Sequence, residues 1–358
     1  MLLRQGPGVI PSRSGLFVRT RRDGASGGRT GRVLFEAMPS QRARVETFQQ
    51  FLWDAAGTDV TQDEVVVRRT IRPAPAPRPP RAESAEVLGA PCGPIDFSVL
   101  ASSSSGNCSV LISGEGGVRR VTLIDAGLSP LRTKKLLAEL GLTLDHIDDV
   151  LFTHLDSDHC HAGWPKALPR HARFRIFAGH RGRARNAGLL RRKTLIFDTD
   201  PFDLPCGVRV TPTRLDHDSL GVVVFRFDAP DASLGYATDV GRPTPAMIEA
   251  LAGVDVLAIE SNYCPKMQLA SPRPEFLKKR IMGGAGHLSN EECRAAVASI
   301  EPRREVVLLH LSRDCNAPDH ARQYHDGERY TVTVSRPDAA TPLIRVSDLR
   351  EPAASAAP

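Results

Sequence analysis

Asp148-Asp-Val-Leu-Phe-Thr-His154 runs directly into Leu155-Asp-Ser-Asp-His159, and this join decides how the chain is read. Val150, Leu151 and Phe152 form an apolar run of the kind that makes a buried strand, and a polar loop follows it at once. Four potential metal ligands, His154, Asp156, Asp158 and His159, occupy six positions of that loop. A loop at the carboxyl end of a strand can turn such side chains inward on a cavity, where imidazole and carboxylate together suit Zn²⁺, Mn²⁺ or Fe. A solvated acidic turn with incidental histidines is the alternative. It is the weaker reading, because imidazoles and carboxylates this dense behind a buried strand carry a large desolvation cost unless something binds them.

The texture on either side supports an ordered α/β domain. FSVLA (97–101), SVLIS (109–113) and VTLID (121–125) read as consecutive strands, and 131–140 reads as a helix stopped by Gly141. Downstream, FRIFA (174–178), VRVTP (208–212), VVVFRF (222–227), LGYAT (234–238), DVLAIE (255–260) and EVVLLH (305–310) continue the strands. Helices are expected at 243–252, 274–281, 289–299 and 316–324, the third opened by a capping box of Ser289 and Glu292. Strand pairs come first and strand–helix alternation later, which predicts a layered α/β fold over about residues 91–350. No internal repeat with a period of 20–50 residues is visible.

Residues 1–90 differ. They hold fourteen arginines against nine acids, no sustained apolar period, and the tract Arg72-Pro-Ala-Pro-Ala-Pro-Arg-Pro-Pro-Arg81. They are expected to be a largely disordered extension, except for an amphipathic helix at 45–55 carrying Phe48, Phe51, Leu52 and Trp53. The extension carries most of the net charge of +6, for the rest has 33 basic against 32 acidic residues. The overall charge therefore says little about nucleic-acid binding by the folded part. Seven scattered cysteines without a CxxC pair fit a reducing compartment, no run of about 18 apolar residues suggests a membrane span, and the opening lacks a secretory apolar core. A cytoplasmic protein is expected.

Thr153-His-x-Asp-x-Asp-His159 resembles the signature of the metallo-β-lactamase superfamily, Thr-His-x-His-x-Asp-His, with Asp156 in place of the second histidine. Later motifs of that superfamily follow in order: His217 in Arg214-Leu-Asp-His-Asp218, Asp239 in Ala237-Thr-Asp-Val-Gly241, and His310 ending VVLLH. Ser103-Ser-Ser-Gly-Asn107, Ile259-Glu-Ser-Asn-Tyr263, Leu277-Lys-Lys-Arg-Ile281, Gly286-His-Leu-Ser-Asn290 and His310-Leu-Ser-Arg-Asp-Cys-Asn316 resemble the WalJ (YycJ)-type group, which is related to phosphodiesterases and exonucleases. The resemblance spans about residues 95–325. It implies an αββα sandwich.

The resemblance also implies two divalent ions, zinc first with manganese or iron as alternatives. His154, Asp156 and His217 would hold one, Asp158, His159 and His310 the other, and Asp239 would bridge them. A carboxylate at position 156 makes its site harder, or marks its loss. Cys160 and His161 are weaker substitutes. A binuclear phosphodiesterase or nuclease using a metal-bound hydroxide is then expected, with Asp158 as a possible base. His287 has no place among the ligands, and likeness to the ribonuclease Z branch gives it the task of protonating the leaving oxygen or clamping phosphate. Ser104, Ser105, Asn107 and Asn290 are expected at the substrate. The segment 180–193 carries six Arg or Lys and no acid, and single-stranded DNA or RNA is the partner it would suit. A small-molecule hydrolase acting on a cyclic phosphodiester, thioester or lactone, and a binding protein with a degraded metal site, stay open beside it.

Overall fold

The structure, a computed structural model, describes residues 94–114, 119–191, 193–205, 207–215, 220–284 and 286–347. All of them fall within one unit, Ala82–Pro358. The expected disorder of residues 1–90 and the helix at 45–55 lie outside the described residues, as do Arg192 and His217.

Alternating side chains build the first half. β1 (Ile95–Ala101) sends Phe97 and Val99 to one face and Leu100 to the other, as the two-residue period of a strand requires. β2 (Cys108–Ser113) and β3 (Arg120–Ile124) join it as antiparallel neighbours. Helix α1 (Pro130–Glu139) then carries the chain back, capped by Ser129, whose hydroxyl accepts from Arg132 N, and opened by Pro130, which has no N–H to lose. That crossover makes β4 (Ile147–Leu151) parallel to β3. After α2 (Trp164–Ala167) comes β5 (Arg173–Phe177), and after α3 (Arg181–Asn186) comes β6 (Thr194–Phe197), each strand parallel to the one before.

The second half repeats this plan. β7 (Phe202–Asp203), β8 (Arg209–Leu215), β9 (Val222–Asp228) and β10 (Ser233–Ala237) form an antiparallel meander. α4 (Pro245–Leu251) then leads to β11 (Val256–Glu260). Three helices, α5 (Pro265–Ala270), α6 (Glu275–Met282) and α7 (Asn290–Ile300), precede β12 (Glu305–Leu309). α8 (Pro318–Gln323) precedes β13 (Thr331–Val334), and β10 to β13 run parallel. β14 (Ile344–Ser347) returns to pair antiparallel with β1.

Two seven-stranded sheets result, ordered β14-β1-β2-β3-β4-β5-β6 and β13-β12-β11-β10-β9-β8-β7. Phe97, Val99 and Leu151 of one meet Val223, Phe225, Tyr236 and Leu309 of the other in a shared core. Leu136, Leu137 and Trp164 cover the outer face of the first sheet, and Met247, Leu251 and Val297 that of the second. This is the αββα sandwich expected from the sequence. No helix among the described residues is long and apolar enough to cross a membrane.

Candidate metal centre

The chemistry collects where parallel strands end. Asp125 follows β3, Thr153 and His154 follow β4, Asp239 follows β10, Glu260 closes β11 and His310 follows β12. Among the described residues only four non-glycine positions have a left-handed φ, and three of them are Asp125 (60°), Asp239 (52°) and His310 (55°). L-residues resist that conformation, so its recurrence immediately past three strands marks backbone held against local preference to aim a side chain.

What those turns bring together is dense. His159 Nε2 lies 2.7 Å from Asp239 Oδ2 and 3.5 Å from Asp158 Oδ2, and His310 Nε2 lies 3.4 Å from the same Asp158 oxygen. His154 stacks on His159 with ring centroids 4.1 Å apart. Three overlapping groups have donor atoms close enough to share an ion: Asp158 with His159 and His310; His154 with His159 and Asp239; and Asp239 with Glu260, His287 and His310. The spacings separate them. Ligands on a tetrahedral ion with bonds of about 2.1 Å stand roughly 3.4 Å apart. The 3.4 and 3.5 Å edges at Asp158 match that spacing. The 2.7 Å contacts of Asp239 Oδ2 with His159 Nε2 and of Glu260 Oε1 with His287 Nδ1 are of hydrogen-bond length, so an ion on the second group requires Asp239 to draw back, and Glu260, facing Nδ1 of both His287 and His310, orients those rings.

Two buried carboxylates do the orienting. Asp125 Oδ2 sits 2.7 Å from His159 Nδ1 and accepts from Thr153 Oγ1, while its Oδ1 accepts from Thr153 N. Glu260 Oε1 sits 3.0 Å from His310 Nδ1, while its other oxygen accepts from Val240 N and Leu288 N. A carboxylate on Nδ1 fixes the ring and turns Nε2 inward as the ligand atom, the usual support of a metal-binding histidine.

The electrostatics follow. Burial works against the charged form of His287, but Glu260 and Asp239 overcome it and raise its pKa to about 10. At His310 burial is overcome in the same way by Asp239, Asp158 and Glu260, and the pKa rises to about 9. Burial alone would raise the carboxyls of Asp158 and Asp239, yet the neighbouring histidines hold both well below the carboxylate range. The pocket attracts positive charge. A divalent ion satisfies the same carboxylates and leaves its histidine ligands neutral, so the donor set fits one.

Most of the residues singled out in the sequence meet here, and some do not. His154, Asp158, His159, Asp239, His287 and His310 converge. Asp156 turns away and pairs with Arg183 of α3, each side chain 37% exposed. His161 Nδ1 accepts from Gly163 N, and neither it nor Cys160 joins a candidate group. Ser104 and Ser105 are exposed. Asn107 is a buried clip: its amide nitrogen donates to Ser103 O, reaches Asp158 O, and lies 3.0 Å from His159 Nε2. Asn290, expected at the substrate, is fully buried, its Oδ1 accepting from Ser261 and Asn316. That enclosure gives it a structural part, locking the Gly-His-Leu-Ser-Asn turn onto the loop after β11. Of the basic segment, Arg181, Arg185, Arg191 and Lys193 are exposed. The capping box of Ser289 and Glu292 forms as expected.

Asp125 and Glu260 were not assigned roles in the sequence. Each ends or follows a hydrophobic strand, a position shared with the recognised ligands, and that is the signal that marks them.

Two glycines allow the close approach. A Cβ on Gly127 would stand 1.7 Å from Asp158 O, and one on Gly286 2.4 Å from the carbonyls of Arg280 and Ile281. Only glycine lets these backbones touch, and the first contact positions the Asp158 loop.

Comparison with known proteins places this geometry. Residues 119–311, more than half of the chain, match the model of a beta-lactamase superfamily domain. Exodeoxyribonuclease WalJ of Streptococcus pneumoniae is 28% identical over 268 residues, covering 70% of this chain and 97% of that protein. Exodeoxyribonuclease YycJ of Bacillus anthracis is 27% identical over 234 residues, covering 64% and 86%. The metallo-beta-lactamase fold protein YhfI from Bacillus subtilis shares the fold, with a TM-score of 0.53 at 14% identity over 69% of this chain and 99% of that one.

Proposed function

Because the chain belongs to the beta-lactamase superfamily, we propose that it is a metal-dependent phosphodiesterase that degrades DNA. The observation that carries this reading is the meeting of His154, Asp158, His159, Asp239 and His310 at one point, with Asp125 and Glu260 behind two of the histidines. Two relatives named as exodeoxyribonucleases support the substrate.

Asp158, His159 and His310 would hold one divalent ion, and Asp239 with His154 would hold a second, zinc being the first candidate and manganese or iron the others. His217 belongs to this second set by motif and lies outside the described residues. Bound ions of this kind polarise phosphoryl oxygens and make a water-derived nucleophile available near neutral pH. Asp158, its carboxylate held ionised by His159 and His310, would be the proton acceptor there. His287 lies at the rim with its side chain 25% exposed, and Glu260 on Nδ1 favours the protonated ring. Its Nε2 proton is the one to deliver to a leaving oxygen. The exposed hydroxyls of Ser104 and Ser105 sit on a loop that Asn107 ties to Asp158, and they are suited to a phosphate oxygen.

End-labelled single-stranded DNA, incubated with purified protein and Mn²⁺ or Zn²⁺, tests the reading. Cleavage is expected from the wild type and at least about a hundredfold less from His159→Ala. Equal cleavage by the two proteins rejects it.

A further inference from the structure

Leu277-Lys-Lys-Arg-Ile281 has no part in the centre described above, and its two apolar residues pack inward with Tyr263 and Cys315. Its cations divide. Lys278 is buried and donates to Leu269 O, tying α6 to the last turn of α5. Lys279 and Arg280 are exposed and have no acidic partner among the described residues. Phe276 precedes them by three and four positions, so the three side chains share one face of α6.

Phe276 is 74% exposed. An isolated exposed apolar side chain is ordinary, but this one is not isolated. Six large apolar residues stand exposed among the described residues, and three of them, Met267, Leu269 and Phe276, belong to α5 and α6. The far end of α6 abuts the centre. His287 N donates to Ile281 O, and Arg242, three residues after Asp239, donates to the carbonyls of Gly283 and Gly284. From Ile281 back to Phe276 is about 7 Å along the helix axis. An aromatic ring followed by two cations thus lies on a helix whose last turn accepts a hydrogen bond from the backbone of the proposed proton donor.

We propose that this face of α6 is where single-stranded DNA rests on its way to the centre, with Phe276 stacking on a base and Lys279 and Arg280 meeting phosphates. An aromatic platform flanked by cations is the general solution for a single strand, since every base offers a π-face and every nucleotide a negative charge. The inference rests on the nuclease reading and names where its polymer binds.

Binding of a fluorescein-labelled oligodeoxythymidine by the full chain, followed by anisotropy, tests it alongside hydrolysis of bis-p-nitrophenyl phosphate, which is too small to extend from the centre along α6 to Phe276. Phe276→Ala is expected to raise the Kd about tenfold, and Phe276→Trp to restore binding with quenching of the new indole. Lys279→Gln with Arg280→Gln is expected to lower the slope of log K against log salt by about 1.4, at about 0.7 per lost phosphate contact. All three variants should hydrolyse the small ester like the wild type. Unchanged DNA affinity in Phe276→Ala overturns the proposal, as does a Phe276→Ala effect only on self-association. If wild-type protein hydrolyses the ester yet binds no DNA, the surface fails and the metal centre stands. If it hydrolyses neither ester nor DNA with metal present, the nuclease reading fails, and this surface with it.

Discussion

Glu260 Oε1 lies 2.7 Å from Nδ1 of His287, and the same oxygen is 3.0 Å from Nδ1 of His310. One buried carboxylate thereby orients a proposed ligand and a proposed proton donor together. Glu260→Gln keeps the shape and removes the charge. Metal affinity or turnover should fall by about 10–100-fold, the range seen when the support of a metal-binding histidine is lost. Titration with Zn²⁺ and steady-state kinetics check it, and a variant unchanged in both would show that Glu260 orients neither ring.

Gly127 stands against the carbonyl of Asp158, where a methyl group would come within 1.7 Å. Gly127→Ala must therefore displace the loop that carries Asp158 and His159. A cost of about 1–3 kcal/mol is expected, lowering the melting temperature by roughly 3–10 °C, with DNA cleavage falling further than stability alone explains. Calorimetry beside the nuclease assay separates the two effects. A variant equal to wild type in both would mean that the loop tolerates movement.

Asp156 pairs with Arg183 at the edge of the centre. A half-exposed pair of this kind contributes about 0–1 kcal/mol, so Asp156→Asn should leave stability nearly unchanged. It should also leave the number of bound ions per chain unchanged, whereas His154→Ala should lower it. Elemental analysis of the two variants decides the matter, and loss of an ion from Asp156→Asn would make Asp156 a ligand.

His325 offers a test of stability far from the metal ligands. Burial pushes its pKa down, Arg294 pushes the same way and Asp326 opposes them, leaving it at about 4. Its Nδ1 lies 2.9 Å from the Tyr330 hydroxyl. An unfolded histidine titrates near 6.5, so below that pH the unfolded chain binds a proton that the folded chain refuses. The stability present above about pH 6.5 is lost as the pH falls towards 4. Between pH 7 and pH 4.5 the melting temperature of His325→Gln should drop less than that of the wild type, by at least about 2 °C. Parallel curves for the two proteins would contradict the shift.

The strands that build the core were legible because their patterns are strong: Val222 to Phe225 and Val256 to Ile259 are continuously apolar runs. β6, β7, β13 and β14 were not, being two to four residues long and partly exposed, so that pairing with a neighbour defines them more than composition does. The doubled plan of two meanders, each continuing into parallel strands, leaves no short period to find. Ligands clustered in one loop, such as Asp158 and His159, announced themselves. Asp125 and Glu260 did not, because a lone acid after a strand has many explanations until its partner ring is seen 2.7 Å away. Asp156 went the other way: its place in the motif suggests a ligand, and only the position of Arg183, remote in sequence, shows where it points.

The central claim is that Asp158, His159 and His310 form one seat for a divalent ion. Equilibrium dialysis against Zn²⁺ or Mn²⁺ followed by elemental analysis of wild type, His159→Ala and His310→Ala measures it most directly. The account predicts bound metal in the wild type and the loss of at least one ion per chain in each variant. Full metal content in both variants, or DNA cleavage by a wild type stripped with chelator, would contradict it.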